Sequence, residues 1–379
     1  MSVPVSKKLM SANIKIFDLG NLRQTDWVLL LIITFLATIG VLTLFSANRS
    51  LADTAPYYIK QLTFFPVGVI LALAIMCIDY RFLVSLAPLF YGILVVLLIA
   101  VLLFGDEAKG AQRWLVIGPI RFQPSEQSKL ALIFMLSWYL STIGSKIERL
   151  PYFLLTFAIT VIPMVLIFKQ PNLGTAATMG PITIAMLYVA GCRRLHLFGL
   201  FTLGGAALPV LWSIMKPYQR ERVMTILDPA SDALGSGYHT IQSMITVGSG
   251  GLSGKGYLEG TQTYLSYLPE HHTDFIFSLL AEEWGFIGSS IVVLLFLLLF
   301  FRSMMAARSS QDMGGSLLVV GIVTLLAFHV FVNIAITLGI APVTGIPLPF
   351  LSWGRSFYLT TMMAMGVVLS VNTRKSFFD

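Results

Sequence analysis

Long uninterrupted apolar stretches dominate this chain. Leu, Ile, Val, Phe, Ala and Met run almost unbroken through ten windows, at about 27–46, 62–79, 82–104, 129–145, 151–169, 173–191, 196–215, 274–301, 315–339 and 356–371. The windows approach the roughly 17–25 residues that a helix needs to cross a bilayer, the fourth and tenth being short. Strands of a membrane barrel would instead alternate apolar and polar positions over short segments. The pattern predicts an all-α integral membrane protein of about ten transmembrane helices.

Polar positions collect between the windows and set the orientation, because basic residues in short loops mark the cytoplasmic side. With the N-terminus inside, the inner connections are Asp79-Tyr80-Arg81, Lys146-Ile147-Glu148-Arg149, Cys192-Arg193-Arg194 and the stretch 302–314. Each carries one or two basic residues. Long loops translocate largely regardless of charge, so a near-even total of 13 basic residues inside and 12 outside does not weigh against this orientation. The expected organisation is a cytoplasmic segment 1–26, one polytopic membrane domain 27–371 and a cytoplasmic tail 372–379. Segment 1–26 holds Lys7, Lys8, Lys15 and Arg23 and leads into an apolar run with no small-residue cleavage site. It reads as a tail before a first span, not as a removed signal peptide. Three outer segments, 105–128, 216–273 and 340–355, are rich in Gly, Pro, Gln and charge and are candidates for function. No internal repeat is visible, which weighs against an inverted-repeat transporter.

Composition narrows the partners. Of 379 residues, 56% are hydrophobic and 11% charged. That is under half of the roughly one quarter charged in a soluble domain, so soluble enzymes and disordered chains are excluded. The formal charge of +7 is scattered over loops. Anionic headgroups or a lipid-linked anion therefore fit better than nucleic acid. Cys77 and Cys192 lie in or beside apolar windows and suggest neither a disulfide framework nor a metal site.

Candidate chemistry sits at the outer ends of the windows. Pro124 fits the first turn of a helix, Glu126 lies near its positive end, and Glu126 and Lys129 share a face at i, i+3. The plain reading is a local ion pair at a helix start. The sharper one is an anionic pocket lined by Lys129, since ionisable residues in a membrane usually have a purpose. Gln170-Pro171-Asn172-Leu173-Gly174 reads as a tight turn. Arg220 and Arg222, beside Gln219, could pair with phosphate or form a solvated cluster. Gly248 to Gly256 fails the phosphate-loop pattern, because Gly256 stands where Ser or Thr should follow Lys255. Its glycines suit close packing instead. His271 and His272 lack zinc spacing. Asp274 is either a helix N-cap or, with Ser278 and Glu282 at four-residue intervals, part of a polar face with Glu283 alongside. A carboxylate at such a rim can act as general base.

The chain resembles the SEDS proteins, the polytopic peptidoglycan glycosyltransferases of bacteria, and within them RodA more than FtsW. The resemblance spans about residues 25–375. It rests on Gly110-Ala111-Gln112-Arg113-Trp114, Gln123-Pro124-Ser125-Glu126, Tyr218-Gln219-Arg220, Gly235-Ser236-Gly237-Tyr238-His239, His272-Thr273-Asp274-Phe275-Ile276-Phe277, Ala281-Glu282-Glu283-Trp284-Gly285-Phe286 and Thr344-Gly345-Ile346-Pro347-Leu348-Pro349-Phe350. It implies a ten-helix enzyme of the bacterial cytoplasmic membrane that polymerises lipid II into β-1,4 glycan strands on the outer face, for elongation and rod shape. It implies a class B penicillin-binding protein as partner.

Asp274 takes the place of the family's essential acid and is the catalytic candidate. Arg113, Glu126, Lys129, Gln219, Arg220, Arg222, His272 and Arg355 are the substrate-binding candidates. Mg²⁺ or Mn²⁺ is a candidate for neutralising the diphosphate, with the metal ligands unknown. Two departures stand out. Asn172 replaces the family's Asp, which costs a charge but not a turn cap. Arg355 replaces a Gly, which adds a cation for a diphosphate or headgroup and brings strain if the position needs glycine geometry. A lipid II flippase and a non-catalytic scaffold of the synthesis complex are the alternative readings.

Overall fold

The computed structural model describes residues 16–18, 20, 24–48, 56–108, 111–117, 120–215, 220, 224, 236–261 and 272–374. Helix α1 is Trp27–Ala47, α2 Tyr57–Cys77, α3 Tyr80–Ser85 and α4 Ala87–Phe104. Strands β1 Asp106–Ala108, β2 Ala111–Ile117 and β3 Ile120–Phe122 follow. Then come α5 Pro124–Ile143, α6 Leu150–Lys169, α7 Leu173–Val189, α8 Arg194–Ile214, α9 Ser236–Ser249, α10 Ile276–Arg308, α11 Met313–Thr337 and α12 Arg355–Thr373. Every apolar window coincides with a helix. Among the described residues, eight helices are long and apolar enough to cross a membrane: α1, α2, α4, α5, α6, α10, α11 and α12. Helix α7 is a shorter apolar one, and the 21-residue α8 covers the seventh window.

Lipid tails are as apolar as leucine, so helices in a bilayer associate through close packing and hydrogen bonds rather than through the hydrophobic effect. The chain meets that need with glycine. Gly68 of α2 takes the Tyr358 ring and Met362 of α12, and Gly366 of α12 rests on the backbone of Ala72. Gly321 lets α11 close on Ile133 of α5 and Met186 of α7. These last three helices form the centre, with Leu132, Ile133, Met179, Ile182, Leu318 and Ile322 inaccessible.

Polar contacts tie the bundle at one end. Asp18 donates its N–H to the Cys77 carbonyl, and Asp79 donates to Ile16. Arg374, after α12, pairs with Asp79 at 3.5 Å. Arg302 pairs with the buried Asp26 at 2.8 Å, which also accepts from Asn372 at 3.2 Å. Arg81 pairs with Asp312 at 3.2 Å. The described start and end of the chain thus share one end of the bundle.

The other end differs from the sequence expectation in two places. Residues 105–128 are not all loop: β1, β2 and β3 form an antiparallel meander in the order β1-β2-β3, and α5 already begins at Pro124. The window starting at 129 is too short because the first turn, Pro-Ser-Glu-Gln-Ser, is polar although largely buried. Segment 216–273 contains α9, whose buried positions include Thr240, Ser243 and Thr246. Its apolar Ile241, Met244 and Ile245 recur at helical spacing, but Met244 and Ile245 are exposed and the buried stripe is the polar one.

Candidate functional site

The site grows from the loop after α11. Asn333, one side chain in α11, donates to the carbonyls of Asp274 at 3.0 Å and Ile346 at 2.8 Å. Ser352 donates to the Thr273 carbonyl at 2.6 Å and accepts from the Leu348 N–H at 2.8 Å. The Trp353 N–H reaches the His272 carbonyl at 2.9 Å. These bonds fasten the turn 272–275 to the loop 344–353. Helix α10 starts only at Ile276, and its N-cap is Phe275. Asp274 is therefore not the cap, and it sits half-buried at the mouth of that turn. A Cβ on Gly345, which has φ 72°, would lie 3.9 Å from its Oδ2. Glycine at 345 thus both permits the turn and leaves space at the carboxylate.

Lys129 is 1% exposed and bonds the Glu126 carboxylate at 2.8 Å. A lone buried ammonium would be prohibitive in this setting, and the acid one turn earlier makes it tolerable. Its second partner is His329 Nε2 at 3.3 Å, a residue that sequence reasoning missed. The signal available there is one ionisable residue inside an otherwise apolar window. His329 Nδ1 in turn faces the Pro347 carbonyl at 3.2 Å. A chain of contacts therefore runs from Glu126 through Lys129 and His329 to the loop that fastens Asp274.

The Gln170–Gly174 turn is a structural hub. Asn172 caps α7 by accepting from the Thr175 N–H at 3.4 Å, and it donates to Ser125 Oγ at 3.3 Å. Asparagine fills both roles without a charge. Arg113, on β2, donates Nε–H to the Gln170 carbonyl at 3.4 Å, and its other guanidinium nitrogen bonds the Pro171 carbonyl. A Cβ on Gly174 would come within 2.6 Å of the Thr344 carbonyl oxygen. The turn thus brings β2, the start of α5 and the loop 344–353 together.

The remaining candidates divide. His272 stacks on Tyr57 of α2, centroids 4.3 Å apart and planes 7° from parallel. Arg220 donates to the Ser213 carbonyl at 2.7 Å, at the end of α8, and no described contact brings it to Asp274. Gln219 and Arg222 lie outside the described residues. Arg355 is the exposed first residue of α12. The expected strain there does not arise: Gly354 is extended at φ 166°, and Arg355 begins a regular helix. Glu282 and Glu283 do not continue a polar face from Asp274. Lys255 holds Glu282 at 2.6 Å, Ser46 bonds Glu283, and Ser278 meets Ser243 at 2.7 Å. Among the described residues no three His, Cys, Asp or Glu side chains converge as a metal-binding group, so no ligand set for Mg²⁺ or Mn²⁺ is assigned.

The family model described as "Cell cycle protein", covering FtsW, RodA and SpoVE, matches residues 25–376. The chain is 39% identical to the peptidoglycan glycosyltransferase MrdB of Escherichia coli K12 over 355 residues, 92% of this chain and 94% of that one. Among solved structures, a chain of the complex described as "structural coordination of polymerization and crosslinking by a peptidoglycan synthase complex" superposes with TM-score 0.79 at 32% identity. The match covers 92% of this chain and 97% of that one. The rod shape determining protein RodA of Thermus thermophilus superposes with TM-score 0.69 at 29% identity, over 94% of this chain and 98% of that one.

Proposed function

Because the chain belongs to the FtsW/RodA/SpoVE family and is a multi-pass peptidoglycan glycosyltransferase of the bacterial cytoplasmic membrane, we propose that it polymerises lipid II with Asp274 as general base. The observation that carries this reading is the half-buried Asp274 carboxylate, held at its backbone by Asn333 and linked by the 344–353 loop to the Lys129–Glu126 pair. The acceptor is the 4-hydroxyl of a GlcNAc on lipid II. An alcohol is a weak nucleophile at neutral pH, and a carboxylate within hydrogen-bond reach removes its proton as the bond forms.

The leaving group is an undecaprenyl diphosphate, whose negative charge grows in the transition state. Fixed positive charge placed beforehand stabilises it without reorganisation. Lys129 is inaccessible, so it acts through its field in a low-dielectric surrounding rather than by contact. Arg113 and Arg220 are further cations that can contribute, with Arg222, outside the described residues, as a candidate beside them. A single displacement on an α-linked donor inverts the centre and yields the β-1,4 product.

The orientation follows the charged end of the bundle. Arg81, Arg302 and Arg374 gather where the described chain starts and ends. That end faces the cytoplasm and Asp274 faces outward, where glycan strands are laid down for elongation. A class B penicillin-binding protein cross-links the product. The similarity to a chain from a complex of polymerisation and cross-linking supports that partner.

Lipid II polymerisation by the purified protein with its class B partner tests the reading, with wild type against Asp274→Asn. Removing a general base typically costs about 10²–10⁴-fold. The expected result is glycan chains from wild type and loss of that order in a folded variant. Equal polymer from both would remove Asp274 as base. No polymer from wild type with its partner bound would leave the flippase or scaffold reading.

A further inference from the structure

His329 lies in the middle of α11, is 2% exposed, and takes no part in the chemistry proposed above. Its two ring nitrogens have unlike partners. Nδ1 faces the Pro347 carbonyl oxygen at 3.2 Å, and Nε2 faces Lys129 Nζ at 3.3 Å. A carbonyl oxygen only accepts, so Nδ1 carries the proton. Nε2 then keeps its lone pair and accepts from the ammonium, which leaves the ring neutral. Phe357 stacks on that ring, with centroids 4.9 Å apart, and lies 5.2 Å under Lys129 Nζ. One turn along the same helix, Asn333 holds the carbonyls of Ile346 and Asp274. One face of α11 thus holds Lys129, the loop and the Asp274 turn.

We propose that His329, as the neutral Nδ1–H imidazole, is a positioning residue that ties Lys129 to the 344–353 loop and so sets the placement of Asp274. A second ring proton would point an imidazolium at an ammonium. The charged groups facing the ring are Lys129 and, through it, Glu126 on α5. Helix α12 brings Phe357 and the buried Tyr358. On neighbouring helices, Glu282 and Glu283 of α10 bond Lys255 and Ser46, and the His239 ring of α9 packs towards Phe275. Glutamine can accept from Lys129 and donate to Pro347 at once, but it cannot take up a proton. Leucine does neither.

This inference rests on the polymerase reading, so the test has a readout for each. Polymerisation by the complex with its class B partner is measured for wild type, His329→Gln and His329→Leu. Thermal unfolding and co-purification of the partner establish that the variants are folded. His329→Leu is expected to lose roughly tenfold or more in kcat with little change in KM, as for hydrogen bonds to a charged group. His329→Gln is expected to recover most of the rate. A His329→Gln variant as impaired as His329→Leu, or full activity in His329→Leu, would overturn the proposal. Nitrogen NMR of histidine-labelled protein, with His329 assigned by its loss in His329→Gln, reads the tautomer without any activity. A protonated Nδ1 beside a bare Nε2 at neutral pH supports the proposal, and the opposite tautomer or an imidazolium refutes it. Wild type without polymer would instead defeat the polymerase reading.

Discussion

At the scale of single residues, the buried ion pair governs what the site tolerates. Lys129 and Glu126 sit one turn apart on α5, where water cannot compensate either charge. Removing one partner leaves the other stranded. Glu126→Ala is expected to cost about 3–5 kcal/mol of stability. The paired replacement Glu126→Leu with Lys129→Met removes both charges and should regain much of that loss without regaining polymerisation. Thermal unfolding of wild type and the two variants in one detergent, run beside the polymerisation assay, separates the two effects. A double variant no more stable than Glu126→Ala would show that the pair is not what the single change breaks. Asn172 shows the opposite economy. Its cap on Thr175 and its bond to Ser125 need an amide and no charge.

At the scale of elements, α10 is held together across a break. Gly285 has φ 66° and ψ −166°, so the helix cannot run through it. The segment after α9 repairs the interruption. Lys255 and Gly256 donate N–H groups to the carbonyls of Glu282 and Glu283, at 3.0 and 3.1 Å. Gly251 and Leu252 accept from Phe286 and Ile287, at 2.9 and 3.1 Å. Exposed polar backbone is not tolerated at membrane depth, and a partner segment is one way to satisfy it. The glycines are what let two backbones approach. A Cβ on Gly254, at φ 81°, would lie 2.1 Å from the Glu283 carbonyl oxygen. Gly254→Ala is therefore expected to lower stability by about 2–4 kcal/mol, from strain and overpacking together. Gly92→Ala in α4 meets nothing within 4 Å and should be neutral or gain up to about 1 kcal/mol. Equal unfolding midpoints for the two would refute this account of the loop. Within the glycine run the N–H groups of Gly250, Gly251, Gly254, Lys255 and Gly256 all have carbonyl partners.

At the scale of the whole molecule, the two ends of the bundle do different work. One end is latched by Asp26, Asp79 and Asp312 with Arg302, Arg374 and Arg81. The other carries the sheet, the 344–353 loop and Asp274. Orientation can be read with a membrane-impermeant thiol reagent on intact spheroplasts, since Cys77 and Cys192 are buried and give low background. Arg121→Cys, on the exposed side of β3, is expected to label from outside. Gln311→Cys, beside the Arg81–Asp312 pair, is expected to label only after the membrane is opened. The reverse pattern would invert the topology and place Asp274 on the wrong face for strand synthesis.

Which features were legible in the sequence follows from what each depends on. Helix positions in the membrane follow from local composition, because a bilayer requires long apolar runs wherever the chain crosses it. The ten windows each hold a helix for that reason. The Glu126–Lys129 pair was legible because i, i+3 neighbours share a face whatever surrounds them. Features that depend on distant segments were not legible. His329 acquires a role only when α11 packs on α5 and the loop after it folds back, 200 residues from Lys129. Helix α9 buries threonine and serine against α10 and α11 and leaves Met244 and Ile245 exposed, so its buried face is not the apolar one. Glu282 and Glu283 lie close to Asp274 in sequence, but the break at Gly285 and the inserted glycine loop give them partners of their own. Sequence by itself determined the membrane class, the positions of the spanning helices and the i, i+3 pairing of Glu126 with Lys129, all of which rest on local chemistry. Tertiary structure alone decided which distant polar groups meet and which loop fastens the Asp274 turn, because long-range packing chooses each polar group's partner in a medium that offers no water.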